Sequence, residues 1–152
     1  MTPHNNSANR ASASTPAHAS QSIEDYLERI HELIERKGYA RPIEIAAALG
    51  IKQSSVTKMM GRLDELGYAI YEKSRGLTLT SAGERVALQI RRRHHYVSEF
   101  LRMLGVEEKC LQQDTEGIEH HISPQTMKRL EAFVEYLRNN ERVMQDFQRE
   151  RK

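Results

Sequence analysis

The chain has 152 residues, a length that fits one domain of ordinary size or two small ones. Its 23 Lys and Arg residues nearly balance 21 Asp and Glu residues, and its single cysteine excludes a disulfide scaffold or a Cys-rich zinc site. It shows no apolar run of membrane-spanning length and no secretory signal, so we expect a cytoplasmic protein without a membrane partner.

Charge is unevenly distributed along the chain. Residues 52–93 carry nine Lys and Arg residues against four Asp and Glu residues, which indicates a polyanionic partner. Residues 94–123 carry two basic residues against six acidic ones, together with four of the seven histidines. This second block indicates a cation as ligand.

The first half of the chain has helical spacing interrupted by glycine and proline. Residues 1–21 are rich in Ser, Ala, Asn and Pro and are predicted to be a disordered tail, because they cannot bury enough apolar surface to order themselves. A first helix is predicted from Ser22, as its N-cap, to Lys37. A second spans 42–49 and a third begins at Gln53 or Ser54 and ends before Gly67. The short connection between the second and third is typical of a helix-turn-helix.

The period of the pattern then changes from helical to alternating. Residues 68–72 and 77–80 are predicted strands around a turn at 73–76, the arrangement of a wing after a helix-turn-helix. A long helix follows, capped by Thr80 or Ser81 and stopped by Gly105. Three more helices are predicted over 107–121, 124–138 and 140–150. The fold class is therefore mainly α, with an N-terminal winged helix-turn-helix and a helical second part.

The second helix of a helix-turn-helix presents its first turns to base edges in the major groove. Gln53 can pair with adenine, and Lys58 can reach phosphate or guanine. The candidate DNA-binding residues on this helix and the wing are Lys52, Gln53, Ser54, Ser55, Thr57, Lys58, Arg62, Lys73 and Arg75. Residues 91–93, three consecutive arginines, would extend the basic surface. Ser and Thr at a helix start can also be simple caps, and a winged helix can also bind proteins.

Two groups of potential metal ligands occur at helical spacing. Glu116, Glu119 and His120 are at positions i, i+3 and i+4, so they share a helix face. Asp25 and Glu28 are also i and i+3, on the side of their helix away from its apolar residues.

Histidine completes this donor set. His94 flanks the apolar stripe of the long helix, whereas His95 points to the other side. Four carboxylates with His94 and His120 suit Mn²⁺ or Fe²⁺ and can hold Zn²⁺ or Co²⁺, and bridging carboxylates would allow two ions. Spacing alone leaves other roles open, since the acidic residues could be helix-dipole partners or solvated residues and His94 an ordinary interior histidine.

Six segments of the chain carry a resemblance to a known family. They are Asp25-Tyr26-Leu27-Glu28, residues 54–59, Tyr71-Glu72-Lys73 with Arg75-Gly76-Leu77, Leu79-Thr80, residues 100–106, and residues 116–121. Together they resemble the diphtheria-toxin-repressor family, and within it the manganese transport regulators. The match covers about residues 22–140 in order and nearly without gaps.

The resemblance implies a homodimeric repressor of manganese-uptake genes that binds double-stranded operator DNA when Mn²⁺, with two ions per subunit, is bound. It divides the chain into a winged-helix domain over 22–82 and a metal-binding and dimerisation domain over 83–152. The ligands carried over from the family are Asp25, Glu28, His94, Glu116, Glu119 and His120.

The sulfur ligands of the iron-responsive branch are missing from this chain. Asp25 stands where that branch has Met, and Glu116 stands where it has Cys. Two regulators remain as alternatives, one responding to iron and one responding to a small organic molecule. No catalytic residues are predicted, because the cluster over residues 116–121 lacks the paired Glu-x-x-His signature of di-iron enzymes and the chain has no His-Glu-x-x-His segment; no small organic substrate is expected.

Overall fold

The computed structural model describes residues 21–150. The predicted tail lies outside this range except for Gln21, which is part of the first helix. The elements are α1 (Gln21–Lys37), α2 (Pro42–Leu49), α3 (Gln53–Glu65), β1 (Ala69–Glu72), β2 (Gly76–Leu79), α4 (Ser81–Leu104), α5 (Glu108–Glu119), α6 (Pro124–Arg138) and α7 (Glu141–Glu150). The predicted fold class is confirmed.

Two helix ends differ from their sequence predictions. Ser22 lies inside α1 and is not its cap. Helix α5 ends at Glu119, so His120 is its C-terminal cap residue and His121 lies outside. The backbone of His120 nevertheless keeps right-handed helical angles, with φ −74° and ψ −14°. Its side chain therefore still follows the helical spacing on which the ligand prediction depends.

One apolar core unites α1, α2, α3, the hairpin and the start of α4. Its fully buried side chains include Leu27, Ile30, Ile45, Val56, Leu63 and Leu77. Burying an aliphatic side chain of this size contributes about 1.5–3 kcal/mol, so this cluster fixes the position of α3 against α1. Gly50, in the left-handed conformation with φ 65°, ends α2 and leaves the short turn before α3.

The hairpin forms the wing and is tied to the loop after α1. Strands β1 and β2 are antiparallel, with Ala69 opposite Leu79 and Glu72 opposite Gly76. The backbone of Ala40 exchanges two hydrogen bonds with Leu77, at 2.9 and 2.7 Å. These bonds hold β2 against this loop one residue after the turn-closing pair, so the exposed turn over residues 73–75 forms the tip of the wing.

Helix α4 is shared between the two halves of the described chain. Its N-cap Thr80 accepts a hydrogen bond from the Gly83 amide at 3.1 Å. Its first half contributes Ile90 to the first core, and its second half contributes Val97 to a second core. Leu101, Leu111 and Met127 complete the buried part of that second core. Within residues 21–150, no helix is both long and apolar enough to cross a membrane.

We expect Gly83→Ala to destabilise the protein by about 1–3 kcal/mol, because the new Cβ would lie 1.9 Å from the carbonyl oxygen of Tyr68. Gly61→Ala is the matched control: this glycine is also helical but has open space around it, so alanine should stabilise by about 0.5–1 kcal/mol. Urea unfolding at a fixed protein concentration measures both changes. Equal effects of the two substitutions would show that the α4–Tyr68 contact is not tight.

Candidate metal centre and nucleic-acid interface

Helices α1, α4 and α5 meet between the two cores, and the structure brings all six sequence-predicted ligand residues to this junction. Helix α1 contributes Asp25 and Glu28, and α4 contributes His94. Helix α5 and its cap residue contribute Glu116, Glu119 and His120. Three of them, His94, Glu116 and Glu119, each have one ligand atom that lies within 4.8 Å of the ligand atoms of the other two.

Two carboxylates of α5 lie between the two imidazoles. His94 Nδ1 is 3.1 Å from Oε2 of Glu119 and 4.0 Å from Oε1 of Glu116. His120 Nε2 is 3.7 Å from the other Glu119 oxygen, Oε1, and 3.6 Å from Glu116 Oε2. Each carboxylate therefore offers one oxygen to each histidine.

Helix α1 contributes the remaining two carboxylates. Asp25 Oδ1 lies 3.7 Å from His120 Nε2, and Glu28 lies close enough to His94 for an electrostatic attraction between them. In both acids, burial outweighs this attraction and raises the pKa above its ordinary value. The pKa of His94 is also raised, because the nearby Glu119 stabilises the protonated imidazole. These three groups therefore bind protons more tightly than they would in water, and a cation at the site competes with those protons.

Several polar atoms at the centre of the junction have no hydrogen-bond partner. They are His94 Nδ1, His120 Nε2 and both carboxylate oxygens of Glu119. His94 Nδ1 and Glu119 Oε2 are 3.1 Å apart but are not aligned for a hydrogen bond, and Glu119 is only 1% exposed. A buried charge that lacks hydrogen bonds is costly. Unpaired oxygen and imidazole nitrogen donors that converge in this way fit a divalent cation of the Mn²⁺ to Zn²⁺ series.

The sequence prediction missed Glu24, which directly precedes Asp25. Its side chain is 8% exposed, pairs with Arg93 of α4, and lies 2.8 Å from His120 Nδ1. The signal available in the sequence was its i, i+4 spacing to Glu28. That spacing does not reveal contacts with residues 69 and 96 positions away along the chain.

The two other histidines of the acidic block lie outside the junction. His95 is 59% exposed at its side chain and contacts Glu99 and Arg138 on the surface. His121 is exposed, with its Nδ1 3.1 Å from the Gly117 carbonyl oxygen. Neither points toward the six converging residues.

Residues 91–93, which were expected to extend the basic surface, each have an acidic partner. Arg91 pairs with Glu35, Arg92 with Glu131, and Arg93 with Glu24. The first of these pairs joins α4 to α1 at 2.7 Å, and the second joins α4 to α6 at 2.9 Å. The pairs join neighbouring helices and reduce the basic charge of this surface; only Arg93 is largely buried, with its side chain 14% exposed, whereas the side chains of Arg91 and Arg92 are 41% and 62% exposed.

The predicted DNA-binding residues of α3 share an exposed face. Lys52 is the N-cap residue of this helix, and the opposite face carries the buried Val56, Met60 and Leu63. The exposed residues of the set are Lys52, Gln53, Ser54, Ser55, Thr57, Lys58 and Arg62. Thr57 donates its hydroxyl proton to the Gln53 carbonyl at 3.1 Å, so it offers a ligand only an acceptor and a methyl group.

The wing tip adds two more exposed cations. Lys73 and Arg75 both project from the turn between β1 and β2. Arg75 Nε lies 3.5 Å from Glu72, but its side chain is 79% exposed, and such pairs contribute little. Both side chains are thus available to phosphates beside the groove that α3 would enter.

Two family models match almost all of the chain. Residues 18–77 match "Iron dependent repressor, N-terminal DNA binding domain". Residues 80–148 match "Iron dependent repressor, metal binding and dimerisation domain".

Individual relatives agree with these matches. The HTH-type transcriptional regulator MntR of Bacillus velezensis is 48% identical over 120 residues, covering 79% of this chain and 84% of that protein. The MntR of Bacillus subtilis is 46% identical over 125 residues, covering 82% and 88%.

Solved structures of manganese regulators share the fold. The manganese regulator SloR superimposes with a TM-score of 0.66 at 29% identity, and ScaR with bound Zn²⁺ superimposes with 0.68 at 30%. Each match covers 75% of this chain and 54% of the solved chain, so this chain spans about half the length of those structures.

We expect Glu119→Gln to stabilise the metal-free protein by about 1 kcal/mol or more, because it removes a buried charge whose oxygens lack hydrogen bonds, a cost that the approach of His94 to 3.1 Å offsets only in part. Glu131→Gln is the control with the opposite sign, since it breaks the two-point pair with Arg92 and should cost up to about 1 kcal/mol. Urea unfolding in the presence of a chelator measures both. A destabilised Glu119→Gln variant would contradict the account of the site.

Proposed function

Because the chain belongs to the iron-dependent repressor family of DNA-binding transcriptional regulators, we propose that it is a homodimeric repressor of manganese-uptake genes whose operator binding requires Mn²⁺. The observation that carries the proposal is the convergence of unpaired oxygen and nitrogen donors from α1, α4 and α5. The family consists of regulators and not of enzymes, in keeping with the absence of predicted catalytic residues. We place its action in the cytoplasm, where the operator DNA is.

We propose that each subunit holds two ions. Glu116 and Glu119 each turn one oxygen toward His94 and the other toward His120, which is the arrangement of carboxylates shared between two neighbouring positions. Asp25 lies beside the His120 position, and Glu28 lies beside the His94 position. Four ionised carboxylates carry the charge that two divalent cations neutralise. The positive charge of Arg93 does not neutralise these four carboxylates, because Arg93 is paired with Glu24.

Mn²⁺ is the ion that the donor set favours. Mn²⁺ is at the bottom of the affinity order of divalent metals, so it depends on hard oxygen ligands and geometry more than on soft donors. The six proposed ligands include no sulfur, and the single cysteine, Cys110, is an exposed residue on α5 that is not among them. Relatives that share nearly half of the matched residues are named MntR, and the solved structure of SloR, 29% identical, is described as that of a manganese regulator, which supports the same choice.

The junction couples the metal site to the DNA-binding surface. Asp25 and Glu28 are on α1, whose Leu27 and Ile30 share one buried core with Val56 of α3. The other proposed ligands are on α4 and α5, which contribute to the second core. When empty, the site sets four carboxylates close together, and their repulsion favours a looser junction. Bound Mn²⁺ would supply the positive charge that removes this repulsion.

A fixed junction then changes affinity for DNA. In a dimer the two recognition helices must meet two half-sites at once, so their spacing has to be defined. Couplings of this kind amount to about 1–3 kcal/mol, or roughly 5- to 150-fold in affinity. By reciprocity, operator DNA should tighten Mn²⁺ binding by the same factor.

We propose that dimerisation uses the apolar groove between α4, α6 and α7. The groove is lined by Met103, Leu104, Phe133, Leu137, Val143, Met144 and Phe147. Leu104, Phe133 and Val143 are exposed in the single chain, and contiguous apolar surface of this kind marks an interaction site. The occupant we assign is a second copy, because the matching family domain is described as a dimerisation domain.

We expect Lys58→Ala and Arg75→Ala to weaken operator binding without changing Mn²⁺ affinity. Both side chains are exposed on the proposed DNA surface, and neither is among the proposed metal ligands. Each lost phosphate contact should lower the salt slope of binding by about one. Arg92→Ala is the control, since that arginine is engaged with Glu131 and should leave the slope unchanged. If neither variant changes affinity or slope, the DNA surface is assigned wrongly.

We expect Asp25→Met to weaken activation by Mn²⁺ more than activation by Fe²⁺ or Co²⁺, and Glu116→Cys to shift preference in the same direction. The reason is that sulfur donors favour the later, softer metals. The measurement is the activation midpoint for operator binding with each metal, made anaerobically. His95→Ala and His121→Ala are the controls and should have milder effects.

Two results would contradict this assignment. Equal losses for all three metals would mean that Asp25 and Glu116 do not set selectivity. A His95 variant as impaired as His94→Ala would place the site on the wrong face of α4.

A further inference from the structure

Glu24 is a buried acid that the proposed ligand set does not use. Its carboxylate Oε2 lies 2.8 Å from His120 Nδ1 and also accepts a hydrogen bond from Arg93 Nη2. The side chains of Glu24, Arg93 and His120 are 8%, 14% and 5% exposed. A buried chain of three groups therefore joins α4, α1 and the end of α5.

Glu24 and the proposed ligands contact opposite nitrogens of the same imidazole. Nδ1 of His120 faces Glu24, whereas Nε2 lies within 3.6–3.7 Å of Asp25, Glu116 and Glu119 and has no hydrogen-bond partner. In a neutral imidazole only one nitrogen carries the proton, and the other holds the lone pair that binds a metal. A carboxylate at Nδ1 stabilises the proton there and leaves the lone pair on Nε2.

Arg93 lowers the energetic cost of burying the Glu24 carboxylate. Its guanidinium compensates the charge of the Glu24 carboxylate, which would otherwise be buried beside the four acids of the site. The Arg93–Glu24 pair also joins α1 to α4. Replacing Glu24 would therefore affect both this helix contact and His120, and a test has to distinguish the two effects.

The chain contains a natural comparison for this purpose. Glu35 of α1 pairs with Arg91 of α4 at 2.7 Å, so it joins the same two helices two residues earlier on α4. Its histidine neighbour is His31, 3.8 Å away on α1 itself, which is not among the proposed ligands. Losing Glu35 would weaken the α1–α4 contact while leaving His120 untouched.

We propose that Glu24 is a positioning residue, held by Arg93, that fixes the Nδ1–H tautomer and the ring orientation of His120 so that Nε2 is presented to the metal site. This inference rests on the proposed function in naming His120 as a ligand. Carboxylates in this outer position raise metal affinity by about 10- to 100-fold.

Two measurements on the full chain test the proposal with the variants Glu24→Gln, Glu24→Leu and Glu35→Leu. Long-range ¹H–¹⁵N spectra of the metal-free protein at alkaline pH report which nitrogen of His120 carries the proton. Depletion of the free Mn²⁺ signal in electron paramagnetic resonance reports metal affinity. Urea unfolding of each variant establishes that it is folded.

Wild type and Glu35→Leu should both show the Nδ1–H tautomer. Glu24→Leu should lose this preference and weaken Mn²⁺ binding by about 10- to 100-fold, whereas Glu35→Leu should stay within about threefold of wild type. Glu24→Gln should keep the tautomer, because its amide oxygen can still accept from Nδ1, and should retain more affinity than the leucine variant.

The proposal is overturned if Glu24→Leu keeps the Nδ1–H tautomer, or if Glu35→Leu reduces Mn²⁺ affinity as much as Glu24→Leu does. Failure of the proposed function is recognised separately, because then the wild-type protein itself would not deplete free Mn²⁺. The tautomer measurement needs no metal and decides the role of Glu24 in that case as well.

Discussion

The burial of Glu119 between two imidazoles is the constraint on which the rest of the molecule depends. A carboxylate that is 1% exposed, with both oxygens lacking a hydrogen-bond partner, works against folding. His94 and His120 face these oxygens, and three further acids crowd around them. Polar groups left in this condition are typical of functional sites, where the missing partner is a ligand. Two apolar cores on either side supply the stability that this arrangement needs.

The position of the proposed metal site between α1, α4 and α5 gives a physical route by which metal binding would affect the DNA-binding surface. Helix α4 belongs to both cores, and α1 packs against it while sharing its own core with α3. The ion pairs of Glu35 with Arg91 and of Glu24 with Arg93 hold α1 on α4 at two levels. In the proposed function, neutralising the acids at the junction would fix how α1 packs against α4, and the core that α1 shares with α3 would carry this orientation to α3.

The sequence was sufficient for the helices and strands, because these depend on local spacing, whereas the ligand set drawn from three helices came from the family resemblance and stays a prediction. Gly50 and Pro124 mark helix boundaries directly, and residues 116, 119 and 120 share a face as soon as α5 is helical. The pairing of residues 91–93 with acids was not predictable, since their partners lie 39 to 69 positions away. Glu24 was missed for the same reason: only the packing of α1 against α4 and α5 turns it toward His120.

The central claim is that α1, α4 and α5 jointly hold the metal. Anomalous scattering at the manganese edge, from crystals grown with Mn²⁺, tests it most directly. The account predicts two anomalous peaks per subunit at the junction, bridged by Glu116 and Glu119, with at least one carboxylate of α1 coordinated. Peaks held by α4 and α5 alone, with Asp25 and Glu28 uncoordinated, would contradict the coupling between metal site and DNA-binding domain.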